Sequence, residues 1–175
     1  MTELGHGSNV RGILTTATYD KEAKEFIINS PCNQAMKFWI GGAGKTSNTC
    51  VLFAQLIVDG VEHGPHAFIC PLRDRKSHLP LPGITVGDCG MKEGVEGIDN
   101  GFIHFDHVRI PKANFLNRLS DISEEGVFSS PIKSSDQRFA LSLGGLSTGR
   151  IILIYNMISY LNIGLKIAIR FSAMR

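Results

Sequence analysis

"KTSNTCVLFAQLIVDG", Lys45–Gly60, decides the fold. Gly44-Lys45-Thr46 looks like the end of a phosphate-binding loop. Such a loop needs Gly, four residues, then Gly-Lys-Ser/Thr, set between a strand and a helix. The position five before Gly44 is Trp39, not glycine. Cys50–Val58 is a nearly continuous apolar run that halts at Asp59-Gly60, a turn signal. Its length and boundaries make it a strand rather than a helix. Without a helix there is no N-terminal dipole or row of free amides to hold a phosphate. The stretch is therefore the first half of a β-hairpin, and the nucleotide-loop reading falls away.

Working outward, "HAFICPL" (His66–Leu72) reads as the returning strand. Upstream, the Thr-rich Ile13–Tyr19 and then Glu25–Asn29 read as a second hairpin. Downstream, Gly83–Gly90 reads as a short strand bracketed by glycines, and Gly101–Pro111 as one alternating strand that stops at proline. Five to seven short strands with Gly/Pro punctuation predict a mainly β domain, a barrel or sandwich, over 1–133. From about Gln137 the spacing turns helical, so 134–175 is expected to hold one long C-terminal helix. Within Ile151–Ile169 the only formal charge is Lys166. Asn156, Ser159, Asn162, Lys166 and Arg170 still recur every three or four residues, which places one polar stripe on an apolar helix. That pattern suits a helix packed in a bundle better than one facing lipid. No cap, glycine or proline ends the helix, and the first residues already form a motif, so the chain is expected to be part of something longer.

Composition narrows the function. Apolar residues are 43% and charged residues 19% of the 175, a folding composition. The net charge of +2 and the single basic run, Arg73–Lys76, argue against nucleic acid. That run reads as a solvated loop. The four cysteines, at 32, 50, 70 and 89, form no CxxC pair, so they are read as reduced thiols rather than zinc ligands. His104 and His107 sit three apart on what reads as a strand and would point to opposite faces, so no metal is expected there. His63 and His66 read as bracketing a surface turn.

Several long stretches together resemble one family. They are "MTELGHGSNVRGILTTATYD" (1–20), "FWIGGAGKT" (38–46), "PLPGITVGDCGMKEGVEGIDNGFIHFDHVRIP" (80–111) and "FLNRL" (115–119). They are similar to the middle region of the acyl-CoA oxidases, relatives of the acyl-CoA dehydrogenases, and their order and spacing match across the chain. "QRFALSLGGLSTGR" (137–150) resembles most the branched-chain, pristanoyl type.

The resemblance implies an FAD enzyme of fatty acid β-oxidation. It would use a glutamate base, a fatty acyl-CoA substrate and molecular oxygen, and release trans-2-enoyl-CoA and hydrogen peroxide. It implies a homodimer and a peroxisomal location, although no targeting signal stands in this chain. It assigns Thr2, Trp39 and Gly41 to the flavin and Ser8 to the thioester arm of the acyl-CoA. Gly41 stands where the dehydrogenases carry threonine, and a missing side chain lets backbone approach a cofactor. The cofactor would then lie on a strand edge. The family's catalytic glutamate lies further downstream, so no catalytic residue is expected among these 175, and Glu124 and Glu125 are not candidates. Arg175 stands where the family's Arg-Arg-Gln-Phe motif begins. Two other readings remain open. One is an acyl-CoA dehydrogenase, disfavoured by Gly41 and by "GHGS" in place of "GAGS". The other is a non-catalytic interaction module presenting the helix Ile151–Arg175.

Overall fold

The structure is a computed structural model that describes all residues, Met1–Arg175. Strands β1 (Thr16–Asp20), β2 (Glu25–Asn29), β4 (Thr49–Val58), β5 (Val61–Pro71) and β8 (Val108–Pro111) form a five-stranded sheet in the order β5-β4-β1-β2-β8. Strands β3 (Lys37–Gly41), β6 (Ile84–Asp88) and β7 (Asn100–Phe105) form a second sheet in the order β3-β7-β6. A two-residue pair, β9 (Asp121–Ile122) and β10 (Phe128–Ser129), closes the β region.

β4 shows how the deciding stretch folds. Leu52, Ala54, Leu56 and Val58 point inward and are buried, while Val51, Phe53, Gln55 and Ile57 face outward. The continuous apolar run thus resolves into the period of two that a strand imposes. The returning strand β5 pairs antiparallel with it, and β1 runs parallel to it on the other side. The core lies between the two large sheets. Phe26, Phe68 and Phe115 form an aromatic cluster with ring centroids 5.0–5.6 Å apart. Ile103 and Phe105 of the smaller sheet join the same core. The architecture is two sheets packed on one core, not a closed barrel.

Three expectations are corrected. The single strand expected over Gly101–Pro111 is two strands in different sheets. The chain turns a corner at Asp106-His107, where His107 takes a left-handed φ of 49°. Ser30 ties that corner down: its amide donates to the Phe105 carbonyl (2.8 Å), and its hydroxyl accepts from the Phe105 amide (3.3 Å). His104 and His107 are therefore not alternating positions of one strand, and His107 instead pairs with Asp106 at 2.7 Å. His63 and His66 do not bracket a surface turn. Both lie within β5, where His66 is buried and His63 stacks on Phe128 at 3.8 Å. Finally, the long helix is broken. α1 (Ser135–Ser142) gives way to a 3-10 turn at Gly144–Leu146, and α2 (Ser147–Ala173) follows. Glycine's poor helix propensity accounts for the break. α1 is capped by the Ser134 hydroxyl, which accepts from the Gln137 amide, and it seats Phe139 and Arg138 in buried positions. No residue of α2 is buried.

Candidate functional site: the exposed edge of β3

β3 pairs with β7 on one side only, so its other edge is free for the N-terminal segment. Residues Thr2 and Glu3 run along it. The Thr2 hydroxyl donates to the Phe38 carbonyl (2.9 Å), and the Phe38 amide donates to the Thr2 carbonyl (3.2 Å). Glu3 forms a bridge with Lys37. This pairing brings Thr2 beside Trp39, although 36 residues separate Thr2 from Phe38 in the chain.

Beneath the edge lies an ion pair that composition does not reveal. The Lys37 ammonium sits 2.9 Å from Glu3 Oε1, and both side chains are almost fully buried. Lys37 also donates to the carbonyls of Phe53 (2.8 Å) and Met1 (3.3 Å). Glu3 accepts from the Leu14 amide (2.7 Å) and from the Thr15 amide and hydroxyl (3.0 and 2.7 Å). Burial alone pushes the Glu3 carboxyl up. The Lys37 charge and these hydrogen bonds outweigh it and hold the group below its usual range. Three elements, the N-terminal segment, β3 and β4, are thereby fixed to one another.

On this base Trp39 points outward. The register of β3 against β7 shifts between Lys37 and Ile40, a β-bulge. Trp39 lies at the bulge with φ 65°, a conformation that non-glycine residues rarely adopt, and its side chain is about half exposed at 51%. A bulge re-aims a side chain, and here it turns the largest aromatic of the chain toward the surface. The Lys92 ammonium stands 5.8 Å from the Trp39 ring centroid, a cation–π contact. Two residues along, a side chain added at Gly41 would meet no atom within 4 Å, so the backbone there is open to approach. The Lys45 side chain, the lysine of the phosphate-loop look-alike, reaches Asp88 at 3.7 Å. The helix that a phosphate loop needs is absent, because β4 follows instead.

The four residues singled out by sequence divide. Thr2, Trp39 and Gly41 share one edge. Ser8 lies exposed in the bend before the short 3-10 turn Val10–Gly12, and its carbonyl accepts from the Val10 amide (3.0 Å). The edge suits an isoalloxazine: a half-exposed aromatic, open backbone at glycine, and a threonine oxygen whose proton already goes to Phe38, leaving lone pairs to accept an N–H. The exposed Glu124 is held between Lys24 (2.6 Å) and Lys112 (3.1 Å), whose hydrogen bonds, and then their charges, pull it down to about 2. A carboxyl that acidic is a poor proton acceptor. Sequence reading also took Arg73 for part of a solvated loop, but it is buried and bonds to carbonyls near the edge. Lys37, Asp99 and Arg73 were missed as contributors because their partners are distant in the chain, and Lys92 because Trp39, the ring it approaches, is.

A separate cavity of about 540 Å³ lies between the outer faces of β4 and β5, the loop Leu116–Ser120 and α1. Phe53, Ala67, Leu119 and Leu141 wall it, and none of the four candidate residues lines it. Burial lowers the His66 imidazole there to about 4, and its Nδ1 donates to the Gly64 carbonyl (2.9 Å). It is neutral at pH 7.

Residues 1–108 match the model of the acyl-CoA dehydrogenase middle domain. The chain is 50% identical to peroxisomal acyl-coenzyme A oxidase 3 of Homo sapiens, covering all of this chain and 25% of that one. It is 47% identical to acyl-coenzyme A oxidase 3, peroxisomal, of Arabidopsis thaliana, covering 26% of it. The chain thus spans about a quarter of the length of the curated relatives it matches. Among solved structures, acyl-CoA oxidase 1 from Yarrowia lipolytica superposes with a TM-score of 0.80 at 48% identity, over 86% of this chain and 21% of that one. Acyl-CoA oxidase-1 of Caenorhabditis elegans, solved in complex with FAD and ATP, superposes at 0.72 with 45% identity, over 75% and 20%. The strand edge, the order of the motifs and these likenesses agree: the chain belongs to the acyl-CoA dehydrogenase family, as a middle β-domain of the acyl-CoA oxidase kind that runs on into a helix.

Proposed function

We propose that this chain supplies the middle-domain wall of the flavin and acyl-CoA site in a peroxisomal acyl-CoA oxidase. The enzyme would convert fatty acyl-CoA to trans-2-enoyl-CoA, reduce oxygen to hydrogen peroxide, and work as a homodimer. FAD held against these residues would supply the two-electron redox chemistry that links acyl-CoA oxidation to oxygen. The residues of this chain bind and orient. Trp39 offers an aromatic surface, Gly41 a backbone free of obstruction, and Thr2 a hydroxyl oxygen with lone pairs to spare. Ser8 would meet the thioester arm of the substrate. The base that takes the α-proton is not among these residues; Glu124, the carboxylate nearest two lysines, is engaged by both. The observation that carries the reading is Trp39, turned out of a β-bulge at φ 65° beside Thr2 and Gly41.

The test is direct because Trp39 is the single tryptophan. Titrating the chain with FAD should quench its fluorescence, while the same chain should release no peroxide from an acyl-CoA. A folded chain that leaves Trp39 unquenched, with free flavin absorbance unchanged, would sink the flavin-wall assignment.

A second reading is favoured by one observation, the complete exposure of α2. On that reading the chain is a non-catalytic module that offers the helix to a partner.

A further inference from the structure

Between Gly41 and β4 the chain makes a tight turn, Gly42–Ser47, and two side chains grip it from opposite sides. Asp99 takes its amides. Asp99 Oδ2 accepts from the Lys45 amide (3.0 Å), the Thr46 amide (2.9 Å) and the Thr46 hydroxyl (2.9 Å), and the Asp99 carbonyl accepts from the Gly42 amide (2.8 Å). Arg73, 6% exposed, takes its carbonyls. Its guanidinium donates to Ser47 (2.6 Å), Ala43 (2.8 Å) and Gly44 (3.0 Å). A buried guanidinium is costly unless its donors are met, and here three carbonyl dipoles of the turn meet it.

What this grip fixes is the edge of β3. Gly41 pairs in register with Asn100, and Asp99 is the next residue. The left-handed Gly42 (φ 76°) is a hinge through which the turn would otherwise swing. On the other side of Asp99, the Ile98 carbonyl and the Asn100 side chain accept from the Lys92 ammonium (2.5 and 2.9 Å), holding it near the Trp39 ring. One short segment, Ile98–Asn100, therefore sets both the backbone at Gly41 and the cation beside Trp39.

We propose that Asp99 and Arg73 are positioning residues that hold the Trp39–Gly41 edge in the geometry a flavin requires, an inference that rests on the flavin reading above. Neither residue touches the cofactor in this scheme. They act through the turn. The carboxyl of Asp99 is held low: burial pushes it up, but the Thr46 hydroxyl and the Thr46 and Lys45 amides outweigh that, so it remains an acceptor at neutral pH.

The experiment compares Asp99→Ala and Asp99→Asn with Asp20→Ala in the chain 1–175. Asp20 also accepts from an amide of its own turn, that of Ala23 (3.1 Å), but in the β1–β2 hairpin of the other sheet. Two readouts are used: time-resolved anisotropy of Trp39 without cofactor, and FAD affinity. Asp99→Ala should increase the local motion of Trp39 and weaken FAD by about tenfold, the loss expected for a charged hydrogen-bond acceptor. Asp99→Asn, which keeps an acceptor oxygen, should recover part of both, and Asp20→Ala should change neither. Thr46→Val, which removes only the hydroxyl contact, gives a milder version if Asp99→Ala fails to fold. Trp39 motion in Asp99→Ala or Thr46→Val equal to that in Asp20→Ala would overturn the assignment. If the unmodified chain binds no FAD, the flavin reading fails, and the anisotropy still decides whether Asp99 holds the edge.

Discussion

Lys37 is the residue on which the site rests, and it is a lysine with almost no exposure. Taking an ammonium out of water costs several kcal/mol unless its partners are well placed. Here they are: Glu3 and the Phe53 and Met1 carbonyls take its three protons. Replacing Lys37 with methionine keeps the volume but leaves Glu3 buried without its cation. The expected loss at pH 7 is about 3–5 kcal/mol, read as a lower urea midpoint. The sign of the pH effect follows from Glu3. Its folded pKa lies below the ordinary 4.5, so its contribution is full above 4.5 and disappears as pH falls through the folded value. In Lys37→Met the carboxyl protonates more readily. The gap between the two proteins should therefore narrow on acidification below 4.5, and a constant gap would argue against the pair. At this scale the sequence was only partly legible. Thr2, Trp39 and Gly41 could be named because they match a family motif. Lys37 looked like any surface lysine, and Asp99 meets Lys45 across 54 residues, a juxtaposition that no local pattern carries.

At the scale of elements, glycines separate close approach from simple freedom. A Cβ at Gly101 would lie 2.2 Å from the Gly44 amide nitrogen, 2.6 Å from the Gly87 carbonyl oxygen and 2.7 Å from the Ala43 carbonyl carbon. All three are backbone atoms with no rotamer to yield. β7 can touch both β6 and the Gly42–Ser47 turn only because Gly101 has no side chain. Gly101→Ala should therefore cost about 2–3 kcal/mol or more and loosen the same turn that Asp99 grips. Gly149 is the contrast. It stands in α2 with open space around its Cα, and Gly149→Ala should stabilise the helix by about 0.5–1 kcal/mol. Thermal melts of the two variants should move in opposite directions. The elements themselves were readable where the pattern was local. The hairpins β1–β2 and β4–β5 announce themselves by short Thr-rich or apolar runs bounded by turn residues, Asp59-Gly60 among them. The break between β7 and β8 did not: at Asp106-His107 two polar residues in a row shift the buried positions from odd to even, a change of phase that sequence alone does not distinguish from a bulge within one strand. The corner is set by Ser30, which lies on a different hairpin.

At the scale of the whole molecule, the sheets and α1 form one packed body and α2 leaves it. Ile151, Leu153, Ile154, Leu161 and Phe171 are each more than half exposed on a helix of 27 residues. Ser135–Ala173 is long and apolar enough to cross a membrane by length and composition. Its polar seam, Asn156, Ser159, Asn162, Lys166 and Arg170, occupies one stripe only, so most of its circumference is apolar. A surface of that size in water drives association. α1 belongs to the sheets instead, because Arg138 donates to the His63 carbonyl (2.9 Å) and Phe139 is buried. A chain cut after Leu146 therefore keeps every buried residue and every strand, and loses only exposed helix. It should fold with the same β signature in circular dichroism, run as a monomer in light scattering, and retain whatever FAD affinity the longer chain has, since Thr2, Trp39 and Gly41 are untouched. The chain 1–175 should run as larger species that dissociate in mild detergent. If 1–146 and 1–175 are both monomeric, α2 is not the sticky element that its exposure makes it. If 1–146 fails to fold, α2 stabilises the sheets by contacts absent from this arrangement. Either result would remove the physical basis for treating the helix as a face awaiting a partner.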